Sequence, residues 1–438
     1  MNYLLIGSGA REHAIARALH KSFKPGDVLY CFGNTVNPGI LALSECYQTG
    51  AITNIEKILW FCQDTHFEFA IIGPEGPLSV GVADALWKHG IPVVGPTQAL
   101  AQLETSKAFT RKLFQKYKIS GSPGYKSFNN LDGVEEFLKS LGNDFVIKAD
   151  GLMGGKGVKV SGDHLDNHQQ ALAYCQEIIN SNSSFLVEEK LIGQEFSLLS
   201  FCDGTHLAHM PAVQDHKRAF ENDTGPNTGG MGTYTDANHA LPFLTLEDIK
   251  TAEQLNEQVA SALKSECGEG YKGIIYGGFM ATKDGVKVIE YNARFGDPEA
   301  INLLSLLESD FIAICKSIVD GNLIQDSVKF SKLASVCKYL VPKGYPDQPV
   351  KNQEINVDAQ ADSSKILYGA VEWEDNKLIE TGSRTIAVIA TARTIIEAEK
   401  LVEAEIPHIH GPLFHRKDIG TQAILDKRVA AIKEIRRA

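Results

Sequence analysis

The chain has 438 residues, of which 43% are hydrophobic and 22% charged, and its formal net charge at pH 7 is -11. This composition is that of an ordinary globular protein, and the length predicts about three domains. Nucleic-acid binding is not expected, because neutralising phosphates needs clustered Lys and Arg residues and this acidic sequence has no such block. No run of about 18 uncharged apolar residues is present, so we expect no membrane span.

The amino-terminal stretch MNYLLIG has no basic segment and its apolar run stops at Gly7, which is unlike a signal peptide. The eight cysteines form no Cys-x-x-Cys pair and do not cluster with histidines as zinc ligands would. Buried free thiols in a reducing compartment are the simplest interpretation, and they predict a cytoplasmic protein.

Residues 1–101 alternate short apolar strands with helical stretches, which predicts a doubly wound parallel sheet. Ligands bind at the carboxyl edge of such a sheet, where glycine permits close approach of the backbone. A single glycine at this edge is most simply explained by a tight turn, but four glycines on one edge favour a ligand-binding site. The strands end at Gly7, Gly33, Gly73 and Gly95, and the polar residues that follow are Arg11, Glu12, Asn34 and Glu75.

The segment GSGAREHAIARAL (7–19) does not fit the dinucleotide-binding pattern. Glu12 stands at the third glycine position, and the second strand is followed by Gly33-Asn34 instead of an acidic residue for ribose. A redox dinucleotide-binding domain is therefore the weaker interpretation. A helix N-terminus with Arg11 in its first turn remains as a seat for an anion.

Two further domains are expected. Residues 102–327 form the second, with a strand-rich small lobe at about 120–190, and residues 328–438 form a small α+β domain. Two capping patterns mark helix starts within them. They are Thr245 with Asp248, before a helix over about 246–266, and Thr394 with Glu397.

The segment VIKADGLMGGKGVKV (146–160) is rich in glycine but is not a Walker A loop. A Walker A loop joins a strand to a helix, whereas both flanks here are β-like and Asp150 occupies the first glycine position. We predict a hairpin whose tip carries Lys156, with Lys148 at the end of the incoming strand. Backbone N–H groups beside two lysines suit a polyphosphate.

The segment FLVEEKLIGQEFS (185–197) places Glu188 and Glu189 at the end of an apolar strand and Glu195 shortly after it. The backbone of such a connector can pair with a purine edge, and a carboxylate can accept ribose hydroxyls. Standing alone, the segment would be interpreted as a solvated acidic strand end.

The segment VKVIEYNARFGDPEA (286–300) starts as a buried strand. Read at a period of two, Val286 and Val288 share one face with Glu290, Asn292 and Arg294. Charged groups on a core face are costly unless they are paired or bound. The carboxylate and amide suit magnesium, and the guanidinium suits a transferring phosphoryl group. A buried ion-pair network is the alternative.

The segment QDHKRAFENDTGPNTGGMGTY (214–234) is too rich in glycine and proline for a helix or a central strand. We therefore expect a long irregular loop. Because it carries the cations of Asp215–Arg218 and lies between apolar segments, the loop is expected to be functional.

Taken together, GSGAREHA, GPTQALAQLETSK, KADGLMGGKGV, QDHKRAFENDTGPNTGGMG and IEYNARFGDPEA resemble the glycinamide ribonucleotide synthetase family of the ATP-grasp superfamily. The likeness runs from Met1 to about Gly420. It implies a two-lobed ATP-grasp fold between the first and last domains. It also implies ATP-dependent ligation of glycine to phosphoribosylamine through a glycyl phosphate, a step of purine biosynthesis. Another ATP-grasp carboxylate–amine ligase, a bicarbonate-using carboxylase and a non-catalytic nucleotide-binding regulator are the alternatives.

The resemblance also implies the role of each site residue. ATP would be held by Lys107, Lys148, Gly154, Gly155, Lys156, Glu188, Leu191 and Glu195, and magnesium or manganese by Glu290 and Asn292. Glycine and phosphoribosylamine would contact Arg11, Glu12, Asn34, Glu75, Asp215, His216, Lys217, Arg218, Gly229, Gly230, Arg294 and Asp297. Catalysis would depend on Arg294, Lys156 and Asp297. The expected state is a monomer, with a weak dimer as the alternative.

One departure from the superfamily pattern concerns the metal. Many ATP-grasp enzymes have an acidic metal ligand on the strand before the Glu-x-Asn strand, whereas IIYGGFMAT (274–282) has none. The phosphates of the nucleotide are therefore expected to supply more of the metal's oxygen ligands.

Overall fold

The structure is a computed structural model that describes residues 1–153 and 157–437. Its amino-terminal part consists of β1 (Asn2–Ile6), α1 (Ala10–Lys21), β2 (Val28–Gly33), α2 (Pro38–Leu41), β3 (Cys46–Thr49), α3 (Ile55–Cys62), β4 (Phe69–Ile72), α4 (Glu75–Ser79), α5 (Val82–Lys88) and β5 (Val93–Val94). The strands form one parallel sheet in the order β3-β2-β1-β4-β5. The central strand β1 is buried and apolar, as expected for a parallel strand covered on both faces. The predicted doubly wound parallel sheet is confirmed.

Two helices, α6 (Gln98–Thr105) and α7 (Lys107–Tyr117), lead into the central domain. Its small lobe contains β6 (Tyr125–Phe128), α8 (Val134–Leu141), β7 (Phe145–Ala149), β8 (Val158–Val160), α9 (His168–Asn180) and β9 (Phe185–Glu189). The four strands pair antiparallel in the order β6-β9-β7-β8. Helices α8 and α9 pack on them around a separate apolar core.

The larger lobe is built on long antiparallel strands. Its elements are β10 (Gly193–Asp203), β11 (Leu207–His209), β12 (Gln214–Asp215), β13 (Arg218–Phe220), β14 (Thr224–Asn227), β15 (Gly232–Thr235), α10 (Leu246–Cys267), β16 (Lys272–Thr282), β17 (Gly285–Asn292), α11 (Glu299–Leu306) and α12 (Phe311–Asp320). The main sheet has the order β11-β10-β16-β17, and β10 pairs with β16 from Gly193–Thr282 to Asp203–Lys272.

The last part of the chain consists of β18 (Ala334–Pro342), β19 (Glu354–Val357), β20 (Ile366–Tyr368), β21 (Val371–Glu374), β22 (Lys377–Glu380), β23 (Ile386–Ala392), α13 (Ile395–Glu405), β24 (Ile409–His410), β25 (Leu413–Phe414) and α14 (Gln422–Arg437). Strands β19, β21, β22 and β24 form a small sheet, and β18, β20 and β23 belong to a larger one. No helix in the described ranges is long and apolar enough to cross a membrane.

Both predicted helix caps are confirmed. The Thr245 hydroxyl accepts a hydrogen bond from the Asp248 N–H at 3.2 Å, and the Asp248 carboxylate accepts one from the Thr245 N–H at 2.8 Å, which is a reciprocal capping box for α10. The Thr394 hydroxyl accepts from the Glu397 N–H at 3.2 Å at the start of α13.

The expectation of a long irregular loop over 214–234 is wrong. The segment forms the four short strands β12 to β15, and β12 and β15 extend the C-terminal sheet in the order β12-β15-β18-β23-β20. The glycine content allows this pairing instead of preventing it, because a Cβ at Gly232 would collide with the carbonyl oxygen of Cys337 on β18. The cation-bearing segment is therefore held by the C-terminal sheet.

Candidate active site

A cavity of about 900 Å³ is bordered by residues from the amino-terminal sheet edge, both lobes of the central domain and the C-terminal part. Most residues predicted for the site therefore come together around one space. Those that line it are Arg11, Glu75, Lys107, Lys148, Glu188, Leu191, Glu195, Asp215, His216, Lys217, Arg218, Gly229, Glu290, Asn292, Arg294 and Asp297.

Glu12 is predicted to contact substrate but is not among the residues lining this cavity. Its carboxylate accepts hydrogen bonds from the Gly9 N–H and from Arg11 Nε, both at 2.6 Å, so it caps α1 itself. A Cβ at Gly7 would lie 2.7 Å from the Glu12 side chain, and one at Gly73 would collide with it. These sheet-edge glycines make room for a buried carboxylate.

Two other predicted residues also lie off the cavity wall. The Asn34 carboxamide oxygen accepts from the Ile52 N–H at 3.3 Å, and the Gly230 N–H donates to the Thr228 hydroxyl at 3.0 Å. Gly154, Gly155 and Lys156 lie outside the described residues.

Lys148 and Glu188 form a buried ion pair at the end of the small lobe. Lys148 Nζ lies 2.8 Å from Glu188 Oε2 and donates to the Ile289 carbonyl at 3.0 Å. Arg111 Nε donates to the other carboxylate oxygen of Glu188 at 2.6 Å. Burial alone would raise the pKa of Glu188, but Lys148 and Arg111 lower it to about 2. Glu188, predicted to hold adenosine, therefore fixes Lys148 in this structure.

Lys107 begins α7 at the same end of the cavity. Its N–H donates to the Asp150 carboxylate at 2.7 Å, and its ammonium donates to the Gly151 carbonyl at 2.9 Å. Burial lowers the pKa of Lys107. The predicted hairpin is confirmed by the antiparallel pairing of β7 with β8. Lys107 and Lys148 both lie at the incoming end of the glycine-rich connection, because Lys148 belongs to β7 and Lys107 contacts Asp150 and Gly151.

A β-bulge in β17 changes the predicted arrangement of the Glu-x-Asn strand. Glu290 pairs with Gly278 while Val288 pairs with the next residue, Phe279, so Ile289 is an extra residue. One extra residue reverses the alternation of side chains. Val288 is fully buried in the core, whereas Glu290 lines the cavity. The prediction that the valines and the polar residues share one face is wrong.

Lys217 lies between two cavity carboxylates. Its ammonium is 3.6 Å from Glu195 Oε2 and 3.5 Å from Glu290 Oε1. Burial alone would lower the pKa of Lys217, but Glu195 and Glu290 raise it. Lys217 in turn lowers the pKa of Glu290. Lys217, predicted to contact substrate, therefore pairs with Glu195, predicted to contact ATP, and with Glu290, predicted to bind the metal.

The two predicted metal ligands, Glu290 and Asn292, can hold a magnesium ion only if further oxygen atoms also bind it. Glu290 and Asn292 both line the cavity, and the Asn292 carboxamide oxygen accepts from Arg294 Nη2 at 3.3 Å. Within the described ranges, no group of three or more His, Cys, Asp or Glu side chains is placed to hold a metal ion. Two oxygen donors facing a cavity beside lysines fit a magnesium ion that is also bound to phosphates.

Arg294 is held by two carboxylates. Its guanidinium lies 3.2 Å from Glu75 and 2.8 Å from Glu104, and Glu104 also accepts from the Ala293 N–H at 2.8 Å. Arg294 lowers the pKa of Glu75 to about 2. Glu104 was not predicted, although it lies in the GPTQALAQLETSK stretch three residues before Lys107, because nothing in the sequence showed that α6 packs beside Arg294.

Asp297 is tied to the C-terminal part of the chain. Arg384 Nη2 lies 3.0 Å from the Asp297 carboxylate, and Tyr339 donates its hydroxyl to the same group at 2.5 Å. Arg384 also donates to the Gly229 carbonyl at 2.5 Å. Arg384 lines the cavity and was not predicted from the sequence.

Asp215 and Arg218 lie on the wall formed by β12 and β13. Burial and the nearby Glu299 raise the pKa of Asp215. Arg218 lies 2.8 Å from Asp163 of the small lobe, so this ion pair joins the two lobes across the cavity. Glu299 lines the cavity as well and was not predicted.

Three family models match consecutive parts of the chain. They are phosphoribosylglycinamide synthetase N domain over residues 1–104, ATP-grasp (A) domain over 105–300 and C domain over 335–422. A phosphoribosylamine–glycine ligase of Methanosarcina barkeri is 48% identical over 436 residues, which cover all of both chains. The chain belongs to the phosphoribosylamine–glycine ligase family. This confirms the resemblance found in the sequence.

Solved structures agree with the family assignment. The phosphoribosylamine–glycine ligase of Thermotoga maritima superposes with a TM-score of 0.81 at 28% identity, over 96% of this chain and 100% of that one. A biotin carboxylase domain of the Hydrogenobacter thermophilus 2-oxoglutarate carboxylase, in complex with MgADP and bicarbonate, has a TM-score of 0.73 at 15% identity. That match covers 99% of this chain and 97% of that one, and it shows the fold alone. The predicted central ATP-grasp fold between a parallel-sheet domain and a mixed C-terminal domain is confirmed.

Proposed function

We propose that the protein ligates glycine to phosphoribosylamine at the expense of ATP, giving glycinamide ribonucleotide, ADP and phosphate in purine biosynthesis. The observation that carries the proposal is the convergence of Lys107, Lys148, Glu290 and Arg294 on one cavity, in a member of this ligase family that aligns with a relative over that relative's whole length. The cations suit a triphosphate, and the family membership supports glycine and the amine sugar over other carboxylate–amine pairs.

The first step activates glycine. A carboxylate oxygen attacks the γ-phosphorus of ATP, an O–P bond forms, and the bond to the leaving ADP oxygen breaks. Lys107 and Lys148 balance the negative charge of the phosphates, and Arg294 lies where it can stabilise the transferring group. Lys156, with Gly154 and Gly155, would also bind the ATP phosphates, as the family resemblance implies.

The second step forms the product. The amine nitrogen of phosphoribosylamine attacks the carbonyl carbon of glycyl phosphate, the C–N bond forms, and phosphate leaves with the C–O bond electrons. The proton lost by the amine is taken up by the departing phosphate or by solvent. No protein nucleophile is needed, so catalysis depends on positioning and on exclusion of water from the acyl phosphate.

Magnesium, or manganese, would be bound by Glu290 and Asn292 together with ATP oxygens, and it would neutralise charge on the phosphates. The contact between Lys217 and Glu290 then has to lengthen, because two cations compete for one carboxylate. We also propose that Glu188, Leu191 and Glu195 border the adenosine, since all three line the cavity.

We further propose a cytoplasmic monomer, with a weak dimer as the alternative, that acts on small molecules and binds neither nucleic acid nor membrane. The formal net charge of -11 supports the absence of nucleic-acid binding. All eight cysteines are free thiols, which supports a reducing compartment.

The proposal is tested by measuring ADP release with ATP, magnesium, glycine and freshly prepared phosphoribosylamine. We expect ADP only when all four are present, with glycinamide ribonucleotide formed in equal amount. Turnover that depends on bicarbonate would identify a carboxylase instead. ADP release that is unaffected by omission of the amine sugar would contradict the proposed ligation.

A further inference from the structure

The carboxyl-terminal helix α14 begins at Gln422, where the matched C-domain range ends, and folds back onto the central domain. Its apolar side chains Ile424, Leu425 and Ile432 are buried, and it contacts β10 and β16. Near its end, Arg436 Nη2 donates to the Asp248 carboxylate at 2.6 Å. The helix is therefore attached to the outside of the ATP-grasp sheet along its length.

One side chain of α14 reaches the cavity. Arg428 lines it, and its guanidinium uses two nitrogens to join two elements of the central domain. Nη1 donates to the Gln194 carboxamide oxygen on β10 at 3.1 Å, and Nη2 donates to the Asp223 carboxylate at 2.7 Å. The Arg428 side chain is 17% exposed, so this ion pair is largely shielded from water.

Asp223 lies between β13 and β14, at the turn of the hairpin that follows Lys217. Its second carboxylate oxygen accepts from Arg416 Nη1 at 3.0 Å, and the same nitrogen donates to the Arg218 carbonyl at 3.1 Å. The buried Arg416 and the partly buried Arg428 thus hold the turn through one carboxylate. Releasing Arg428 would leave Asp223 with one of its two cationic partners.

His216 immediately precedes Lys217 and lies within the field of these arginines. Burial, followed by Arg428 and Arg416, lowers the pKa of His216 to about 3, so the imidazole is neutral. Its Nδ1 donates to the Gly232 carbonyl at 3.3 Å, which leaves Nε2 as an acceptor.

The surroundings of Arg428 contain an unusual group of buried polar atoms. Among the residues that the structure describes, four such atoms close to Arg428 have no hydrogen-bond partner. They are Gln214 Oε1, His216 Nε2, Tyr234 OH and Arg428 Nε. Gln214 pairs with Tyr234 across β12 and β15, and the His216 and Tyr234 rings are 5.5 Å apart. Buried polar atoms without partners are costly, and they concentrate where a site has functional constraints.

We propose that Arg428 is a positioning residue of this active site. Through Asp223 it holds the β13–β14 hairpin so that His216 and Lys217 face the substrates. The predicted change in KM rests on the proposed function. The predicted ordering of the β13–β14 hairpin by Arg428 does not depend on which reaction the protein catalyses. Arg436 provides the matched comparison, because it ties the same helix to the same domain through Asp248 and lies off the cavity wall.

The kinetic test compares Arg428→Gln, Arg428→Lys and Arg436→Gln under steady-state conditions. We expect Arg428→Gln to raise the KM for glycine or phosphoribosylamine about tenfold or more, with a smaller change in kcat. Arg428→Lys should recover part of the loss, because one donor to Asp223 is retained. Arg436→Gln should lower the thermal midpoint at unchanged KM. Equal KM values for the two glutamine variants would overturn the proposal.

Hydrogen exchange of the amides in 216–228 separates this inference from the proposed function. Faster exchange in Arg428→Gln than in Arg436→Gln is expected even if the wild-type protein forms no glycinamide ribonucleotide. Unchanged exchange, or faster exchange with wild-type KM values, would contradict a positioning role. Asp223→Asn weakens this ion pair together with that to Arg416, and it should raise KM at least as much if Arg428→Gln fails to fold.

Discussion

The ammonium nitrogen of Lys217 lies 3.5 Å from Oε1 of Glu290, the carboxylate proposed to bind the metal. The same ammonium is 3.6 Å from Glu195, proposed to border the ribose. Lys217 thus pairs both with the carboxylate proposed to bind the metal and with one proposed to border the adenosine. Because like charges at this distance repel strongly in a partly buried site, we expect Lys217 and the metal to compete for Glu290.

Replacing Lys217 should make this competition measurable. In Lys217→Gln, the protein saturated with ADP should bind Mn²⁺ several-fold more tightly than the wild type with ADP, because the competing ammonium is gone, while kcat falls. Electron paramagnetic resonance of free Mn²⁺ measures the affinity. Lys250→Gln, on the exposed face of α10, is the control and should behave as wild type. Weaker Mn²⁺ binding in Lys217→Gln would exclude competition.

Replacing Glu290 should remove metal-dependent turnover without unfolding the protein. Glu290→Ala deletes one of only two proposed protein ligands, so kcat should fall by about 100-fold or more. The far-UV circular dichroism spectrum should be unchanged, because the β17 core contacts are made by Val288 and its neighbours. Near-normal turnover at the usual magnesium concentration would show that Glu290 does not bind the metal.

Replacing Glu188 should destabilise the small lobe in a pH-dependent way. Glu188→Gln leaves Lys148 and Arg111 buried without their anion, which typically costs about 3–5 kcal/mol. Since the pKa of Glu188 is lowered to about 2 in the folded protein, its contribution is complete above the unfolded pKa of about 4.3. It is lost as the pH falls towards 2.

Thermal midpoints at pH 7 and pH 3 test this dependence. The difference between wild type and Glu188→Gln should be large at pH 7 and smaller at pH 3. Glu189→Gln is the neighbouring control, since among the described residues its carboxylate accepts only from the Gly124 N–H at 3.0 Å. A difference that grows on acidification would contradict the assigned direction of the pKa shift.

Replacing Arg384 tests whether the C-terminal part completes the site. Arg384→Gln removes the ion pair to Asp297 and the hydrogen bond to the Gly229 carbonyl, so turnover should drop about 100-fold if Asp297 contacts substrate. Arg393→Gln, an exposed residue beyond the end of β23, should leave the kinetics unchanged. Wild-type kinetics in Arg384→Gln would limit the site to the first two domains.

Much of the secondary structure could be predicted from short stretches of the sequence. The parallel sheet, the capped start of α10 and the glycine-rich hairpin follow from short-range signals that depend on neighbouring residues alone. Residues such as Lys148 and Glu290 were found because their charge interrupts an apolar strand, and such an interruption needs a partner wherever it occurs.

Long-range pairing was not predictable from these signals. The bulge at Ile289 depends on how β17 aligns with β16. Strands β12 and β15 extend a sheet whose next strand, β18, lies about 100 residues later in the chain. Arg384 and Arg428 reach the cavity through the C-terminal fold. Their own sequence neighbourhoods contain no feature that distinguishes them from surface arginines.

Oxygen transfer from glycine to phosphate tests the central claim most directly. With glycine labelled by ¹⁸O in both carboxylate positions, activation by ATP and capture by the amine should place one labelled oxygen in the released phosphate. The other should remain in the amide of glycinamide ribonucleotide. Mass spectrometry of the phosphate after complete turnover measures this. Phosphate with one ¹⁸O per turnover is predicted, and unlabelled phosphate would contradict activation of the glycine carboxylate by ATP.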